Sequence, residues 1–214
     1  LACGGYAGNP YMIEQLDPLG TSVTTACSYT PADKGYGIRA AIWAGAHLDA
    51  EPAPVLFDRG LVAPGVDAGY VDAPSAFGGK AFPGTVGQYN PGSQPFLKVN
   101  RHGERFMNES QEYDNASHAS FQQPGHVYAM IHDANYFEDV TRFHTIGCSA
   151  VTRLVPGGME KKLEQYAEEG LIMKAGTIEE LADKMGFTGA DKDNFVATVA
   201  RYNELYDKQN DEDF

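Results

Sequence analysis

The residues best equipped for chemistry lie in one run, Val99-Asn100-Arg101-His102-Gly103-Glu104-Arg105-Phe106-Met107-Asn108-Glu109. Two guanidiniums and two carboxylates flank an Asn/Gly turn, with Phe106 and Met107 beside them. An arginine held on a strand by apolar neighbours presents a planar fork of donors, so Arg105 is suited to meet an anion or a developing negative charge. The same residues also suit an exposed charged hairpin, whose ion pairs would be weak. Residue types alone leave both readings open.

Other constellations carry less. Cys3-Gly4-Gly5-Tyr6-Ala7-Gly8 has the glycines of a phosphate-cradling loop, but Asn9-Pro10 follows where a helix and a later acidic residue are required. Gly147-Cys148-Ser149-Ala150-Val151 begins like a nucleophile elbow and has Val151 where the closing glycine belongs. Cys3, Cys27 and Cys148 lie far apart, and the histidines form no H-E-x-x-H or i, i+4 pair, so the spacing predicts neither a disulfide framework nor a metal site. A net charge of -13 argues against nucleic acid, which is bound by Lys and Arg. No apolar run approaches the ~20 residues of a membrane helix.

These groups must be positioned by a real core. The 214 residues, 43% hydrophobic with 12 Tyr and 11 Phe, predict a globular protein. The apolar opening without an initiator methionine reads as the interior of a longer chain. Asp33 to Leu48 carries Ile38, Ala41, Ile42 and Gly45 at helical spacing. From Glu51 to Pro95, Pro and Gly predict long loops and short strands. Phe96 to Val99 and Glu104 to Glu109 read as the arms of a hairpin, and Val127 to Ile131 as another strand. The last third is helical: Met159, Leu163 and Tyr166 share one face, Thr177 and Glu180 form a capping box, and Phe195, Val199, Tyr202 and Tyr206 make a third stripe. The mixture predicts an α+β fold.

The Val99 to Glu109 run resembles the V-N-x-x-G-x-R-F-x-N-E motif of the flavin-dependent fumarate reductases, their urocanate reductase relatives and the 3-ketosteroid dehydrogenases. Leu1 to Asn9 resembles the L-A-x-G-G-[FY]-x-x-N strand and loop of their flavin domain. Asp33 to Ala46 resembles its G-D-G … A-G-A helix. Val199-Ala200-Arg201-Tyr202-Asn203, followed by Asp211-Glu212-Asp213-Phe214, resembles the V-x-R-Y-N … D-x-D-F stretch where such chains re-enter the flavin domain.

The resemblance to this fumarate reductase/succinate dehydrogenase flavoprotein family implies a substrate-capping domain at 51–205 with short hairpins, flanked by pieces of an FAD-binding domain at 1–50 and 206–214. It implies an FAD-dependent oxidoreductase that reduces an activated C=C bond of a small organic substrate, with Arg105 as proton donor. Glu104, Asn108 and Glu109 would orient that arginine, and Gly4 and Gly5 would form part of the cofactor site. The family's relay glutamate and second arginine have no counterpart between Ala73 and Pro95, and Tyr70 or Tyr89 is the expected substitute. FAD is expected in the full-length parent and not in this chain alone. The expected partners are the unsaturated substrate, the remaining FAD domain and an unidentified electron donor. A ketosteroid dehydrogenase-like enzyme and a non-catalytic binding module stand as alternatives.

Overall fold

The structure, a computed structural model, describes residues 3–6, 8–23, 32–50, 60–69, 85–89, 92, 94–140, 142–143 and 158–214. The chain divides into two compact units, Leu1–Gln88 and Tyr89–Phe214.

In the first unit a helix does follow the glycine loop, which corrects the reading of Asn9-Pro10 as standing in its place: the two start α1 (Pro10–Leu16), the Asn9 side chain accepting from the Met12 N–H at 3.2 Å, and proline at the first position loses no bond. Helices α2 (Pro18–Val23) and α3 (Tyr36–Trp43) follow. Helix α3 is shorter than the Asp33 to Leu48 periodicity predicts. Gly35 at φ 74° precedes its first turn, and Ala44 with Gly45 at φ 98° closes it. Its apolar stripe is only partly covered: Ile38 and Ala41 are half-buried and Ile42 is 38% exposed. Strands β1 (Gly60–Val62) and β2 (Thr85–Gln88) pair antiparallel, Gly60 opposite Gln88, which are the short strands expected of this Pro/Gly-rich stretch.

The second unit is built on β3 (Leu97–Val99), helix α4 (Tyr113–Phe121), β4 (Ala129–Ile131), α5 (Tyr136–Asp139), α6 (Gly158–Glu168), α7 (Ile178–Lys184) and α8 (Gly189–Lys208). Strand β3 pairs antiparallel with β4, Leu97 opposite Ile131 and Val99 opposite Ala129. This corrects the expected hairpin. The turn forms, with the Asn100 N–H donating to the Glu104 carbonyl at 3.0 Å, but the second arm contributes only one bridge, Arg105 to Val99.

The helical third follows its punctuation. Gly170 at φ 74° ends α6, with the Leu171 N–H returning to the Tyr166 carbonyl. The Thr177 hydroxyl caps α7 by accepting from the Glu180 N–H at 3.1 Å, and Glu180 reaches back to the Gly176 N–H. Leu97, Val99, Ala182, Phe187 and Phe195 form the core, with the Phe187 and Phe195 rings 5.2 Å apart and Val199 and Tyr202 packed against it. Tyr206 does not continue the stripe: it is 64% exposed, and Leu205 is buried instead, because three residues after Tyr202 fits the 3.6-residue turn as well as four. Helices with small antiparallel pairs agree with the α+β expectation.

Candidate functional site

The turn before Arg105 is pressed against the start of α8. Gly103 has φ 72°, and a Cβ there would stand 2.5 Å from the Asp191 carbonyl oxygen and 2.7 Å from the Phe195 nitrogen, so glycine is required for both conformation and space. The Asn194 side chain donates to the His102 carbonyl at 3.2 Å, and His102 Nδ1 lies 3.1 Å from Asp191. Asn100 shapes the turn, its Oδ1 accepting from the His102 and Glu104 N–H groups at 2.9 and 3.1 Å.

Arg105 emerges from this turn into a nest of anions and rings. Its Nε and Nη2 donate to the two Glu109 carboxylate oxygens at 2.9 and 2.7 Å. Its Nη1 and Nη2 donate to the two Asp211 oxygens at 3.1 and 2.7 Å. The guanidinium carbon lies 5.0 Å from the Tyr202 ring centre and 4.9 Å from that of Phe214. Only 9% of the Arg105 side chain and 3% of the Glu109 side chain are exposed, against 31% for Asp211.

The electrostatics follow from this geometry. Burial opposes the charge on Arg105, but the bonds to Glu109 and Asp211 outweigh it and raise its pKa above the ordinary arginine value. Asp211 responds oppositely, held down to about 2 chiefly by its bonds to Arg105. The Tyr202 phenol is pushed up to about 12, first by burial and then by the Glu109 charge. A second cluster lies on the exposed side, where Arg201 pairs with Glu204, Glu212 and Asp213 at 2.9, 3.2 and 2.8 Å. Lys208 bonds Glu204 and Glu212.

The expected site residues separate. Of Glu104, Asn108 and Glu109, the last reaches the guanidinium; exposed Glu104 accepts a long 3.4 Å bond from Asn100, and exposed Asn108 caps the turn at Ser110. Tyr89 is buried against Tyr166, ring centres 6.3 Å apart, and burial lifts its phenol pKa above the ordinary tyrosine range. Tyr70 lies outside the described residues, as does the Gly147 to Val151 run. Asp211, Tyr202 and Phe214 were not expected at this site. Their signal was present as the V-x-R-Y-N … D-x-D-F resemblance, but nothing in one sequence pairs Arg105 with a carboxylate 106 positions away.

Gly4 and Gly5 sit in a loop closed onto residues 33–35: the Gly35 N–H donates to the Gly5 carbonyl at 3.0 Å and the Gly8 N–H to the Asp33 carbonyl at 2.8 Å. Lys34 donates its ammonium to the Gly8 carbonyl at 2.6 Å. A Cβ at Gly4 would lie 2.6 Å from an Asp33 carboxylate oxygen, whereas at Gly5 it would meet open space. An acidic group at the loop fits a hydroxyl or an uncharged edge of a dinucleotide better than its pyrophosphate. Among the described residues no group of three His, Cys, Asp or Glu is arranged to hold a metal, and no helix is long and apolar enough to cross a membrane.

A family model described as FAD binding domain matches residues 1–213. The chain is 28% identical to the NADH:acrylate oxidoreductase of Vibrio harveyi, over 100% of this chain and 18% of that protein. It is 29% identical to the vinyl phenol reductase of Lactiplantibacillus plantarum, over 100% of this chain and 41% of that protein. It is 32% identical to a 3-oxosteroid 1-dehydrogenase of Mycobacterium tuberculosis, over 100% of this chain and 34% of that protein. The chain thus spans less than half the length of each of these relatives. This end-to-end match agrees with the flavoprotein resemblance of the sequence: the chain belongs to the FAD binding domain family.

Proposed function

We propose that this chain is the substrate-capping part, with flanks of the FAD domain, of an enzyme that reduces an activated C=C bond in a small organic substrate. The observation that carries this reading is similarity over the whole chain to an acrylate oxidoreductase and a vinyl phenol reductase, whose names share a double bond conjugated to an electron-withdrawing or aromatic group. A second reading, dehydrogenation of a saturated ring ketone, is favoured by the 32% identity to a 3-oxosteroid 1-dehydrogenase, again over the whole chain.

When bound, FAD supplies the two-electron chemistry, and the protein's share is position, charge and a proton. The resemblance implies that Arg105 gives the proton. The geometry sets what that step must overcome. Releasing a proton from an ordinary arginine near neutral pH costs on the order of 7 kcal/mol, and Glu109 and Asp211 stabilise the charged form further. Four of its five N–H donors are already directed at carboxylates. As the donor, Arg105 would release its proton only to a carbanion developing beside it, and Glu109 and Asp211 hold it charged and oriented until then.

The test is an anaerobic panel on the FAD-loaded full-length protein. Reoxidation of the reduced flavin by an alkene conjugated to a carboxylate or an aryl ring supports the reductase reading. Bleaching of the oxidised flavin by a saturated 3-ketosteroid supports the second. Neither response overturns both.

A further inference from the structure

We propose that the groove between α1 and α3 is a docking face for the rest of the FAD-binding domain, a part of the same polypeptide outside these 214 residues, and that the segment seated there is apolar with a carboxylate opposite Arg39. The identity of the occupant rests on the reading of the chain as part of an FAD-dependent enzyme; the face itself rests on geometry.

The two helices are held as one surface. A Cβ on Gly35, at φ 74°, would overlap the Met12 sulfur, and one on Gly37 would overlap the Cys3 thiol, so the first turn of α3 lies directly on α1 and on the glycine loop. The Gly35 N–H donates to the Gly5 carbonyl at 3.0 Å and the Ala46 N–H to the Ala41 carbonyl at 2.9 Å, which fixes both ends of α3. Tyr11, Met12 and Leu16 from one side and Ile42 and Leu48 from the other then line a groove of about 410 Å³, and Arg39 is the charged residue among its lining.

This face is uncovered. Helix α3 has no buried residue, and Tyr11, Ile42 and Leu48 are 53, 38 and 42% exposed. Trp43 is 77% exposed, with the Arg39 guanidinium 5.3 Å from its ring centre. An amphipathic surface helix directs its apolar stripe at a core, and a contiguous exposed apolar patch marks a contact surface. Two observations say what covers it. The FAD binding domain model runs through these helices, and domains that hold a dinucleotide set helices against a mostly parallel sheet. The strands of the described residues instead pair antiparallel, β1 with β2 and β3 with β4, and a second copy would bring the same pairs again. The chain also spans 18, 41 and 34% of three relatives, so the greater part of each is polypeptide beyond the matched stretch. Charge narrows the occupant further: covering the groove takes the Arg39 guanidinium out of water, and a covered cation must be paired. Its planar fork, backed by the Trp43 ring, suits a carboxylate.

The experiment uses the full-length protein mixed with FAD. Hydroxyl-radical oxidation of Tyr11, Ile42 and Leu48 is followed natively and in urea, with sedimentation velocity over a range of concentrations. The docking face predicts loss of oxidation at all three side chains in a native monomer. It also predicts that Arg39→Glu lowers the melting midpoint further than Arg39→Gln, because like charges would then face each other. Side chains oxidised as fast natively as in urea overturn the docking face. Protection that disappears on dilution, as a larger species dissociates, gives the groove to a second copy and overturns the proposed occupant. A midpoint lower for Arg39→Gln than for Arg39→Glu overturns the carboxylate. The oxidation arm needs no substitution, so it decides even if Arg39→Glu does not fold. Protection in a monomer that takes up no FAD keeps the face and overturns the flavin-dependent reading, whereas open side chains in an FAD-loaded monomer do the reverse.

Discussion

Replacing Arg105 with Gln should be among the most destabilising polar substitutions in the second unit. The change deletes the partner of Glu109, whose side chain is 3% exposed and whose Oε1 among the described residues otherwise receives a long 3.4 Å bond from the Lys98 N–H. Breaking a buried ion pair from one side costs about 3 to 5 kcal/mol, because the remaining charge stays buried and unpaired. Asp211, 31% exposed, regains water and adds little, while losing the cation from the Tyr202 and Phe214 rings adds about 1 kcal/mol. Glutamine bonding one Glu109 oxygen offsets part of this, leaving about 4 kcal/mol. At about 2 to 4 °C per kcal/mol for a chain of this size, the melting midpoint should fall by about 10 °C. Differential scanning calorimetry of the 214-residue chain, with Lys192→Gln as a surface control, reads it directly. A fall of less than about 2 °C would refute the claim that Arg105 neutralises a buried carboxylate, since it corresponds to under about 1 kcal/mol.

Gly103→Ala should cost at least about 2 kcal/mol, from the left-handed backbone and the 2.5 Å approach to the Asp191 carbonyl oxygen, and chemical denaturation would show it as a lowered midpoint. Acid should weaken the segment after α8 in a defined window. Because Asp211 is depressed to about 2 when folded, its contribution is full above its unfolded value near 4 and is lost as pH falls from about 4 to about 2. Asp211→Asn should flatten the stability profile in that range, as followed by urea unfolding at stepped pH. The chain by itself should not bind FAD, since Asp33 stands at Gly4 where a pyrophosphate would require donors; a dissociation constant below about 1 μM by calorimetric titration would contradict this.

Local signals in the sequence were legible where a few neighbouring residues decide the outcome. Thr177 with Glu180 starts α7 through bonds within one turn, as its spacing predicts, whereas Asn9-Pro10, read as standing in place of a helix, caps and starts α1. Strand partners were harder. Phe96 to Val99 was recognised as strand, but its partner lies at Ala129–Ile131 because the run after Arg105 turns away to bring Glu109 under the guanidinium. That Arg105 is suited to meet an anion was legible from its residue type and neighbours; which groups it meets was not, since Asp211 and Phe214 reach it from 106 and 109 positions on. Periodicity in α3 was a partial guide: a stripe at helical spacing tells that a face is apolar, and among the described residues Ile38 and Ala41 are half-buried while Ile42 stays exposed.

The central claim, flavin-dependent reduction of an activated C=C bond, is tested most directly by product stoichiometry. The full-length protein, loaded with FAD and reduced in the absence of oxygen, is mixed with the conjugated alkene that reoxidises it, and the saturated product is counted against flavin oxidised. Because the cofactor carries two electrons and the protein completes the reaction with a proton, equal amounts of saturated product and oxidised flavin are expected. A flavin that stays reduced with every conjugated alkene, or one that reoxidises without forming the saturated product, would contradict it.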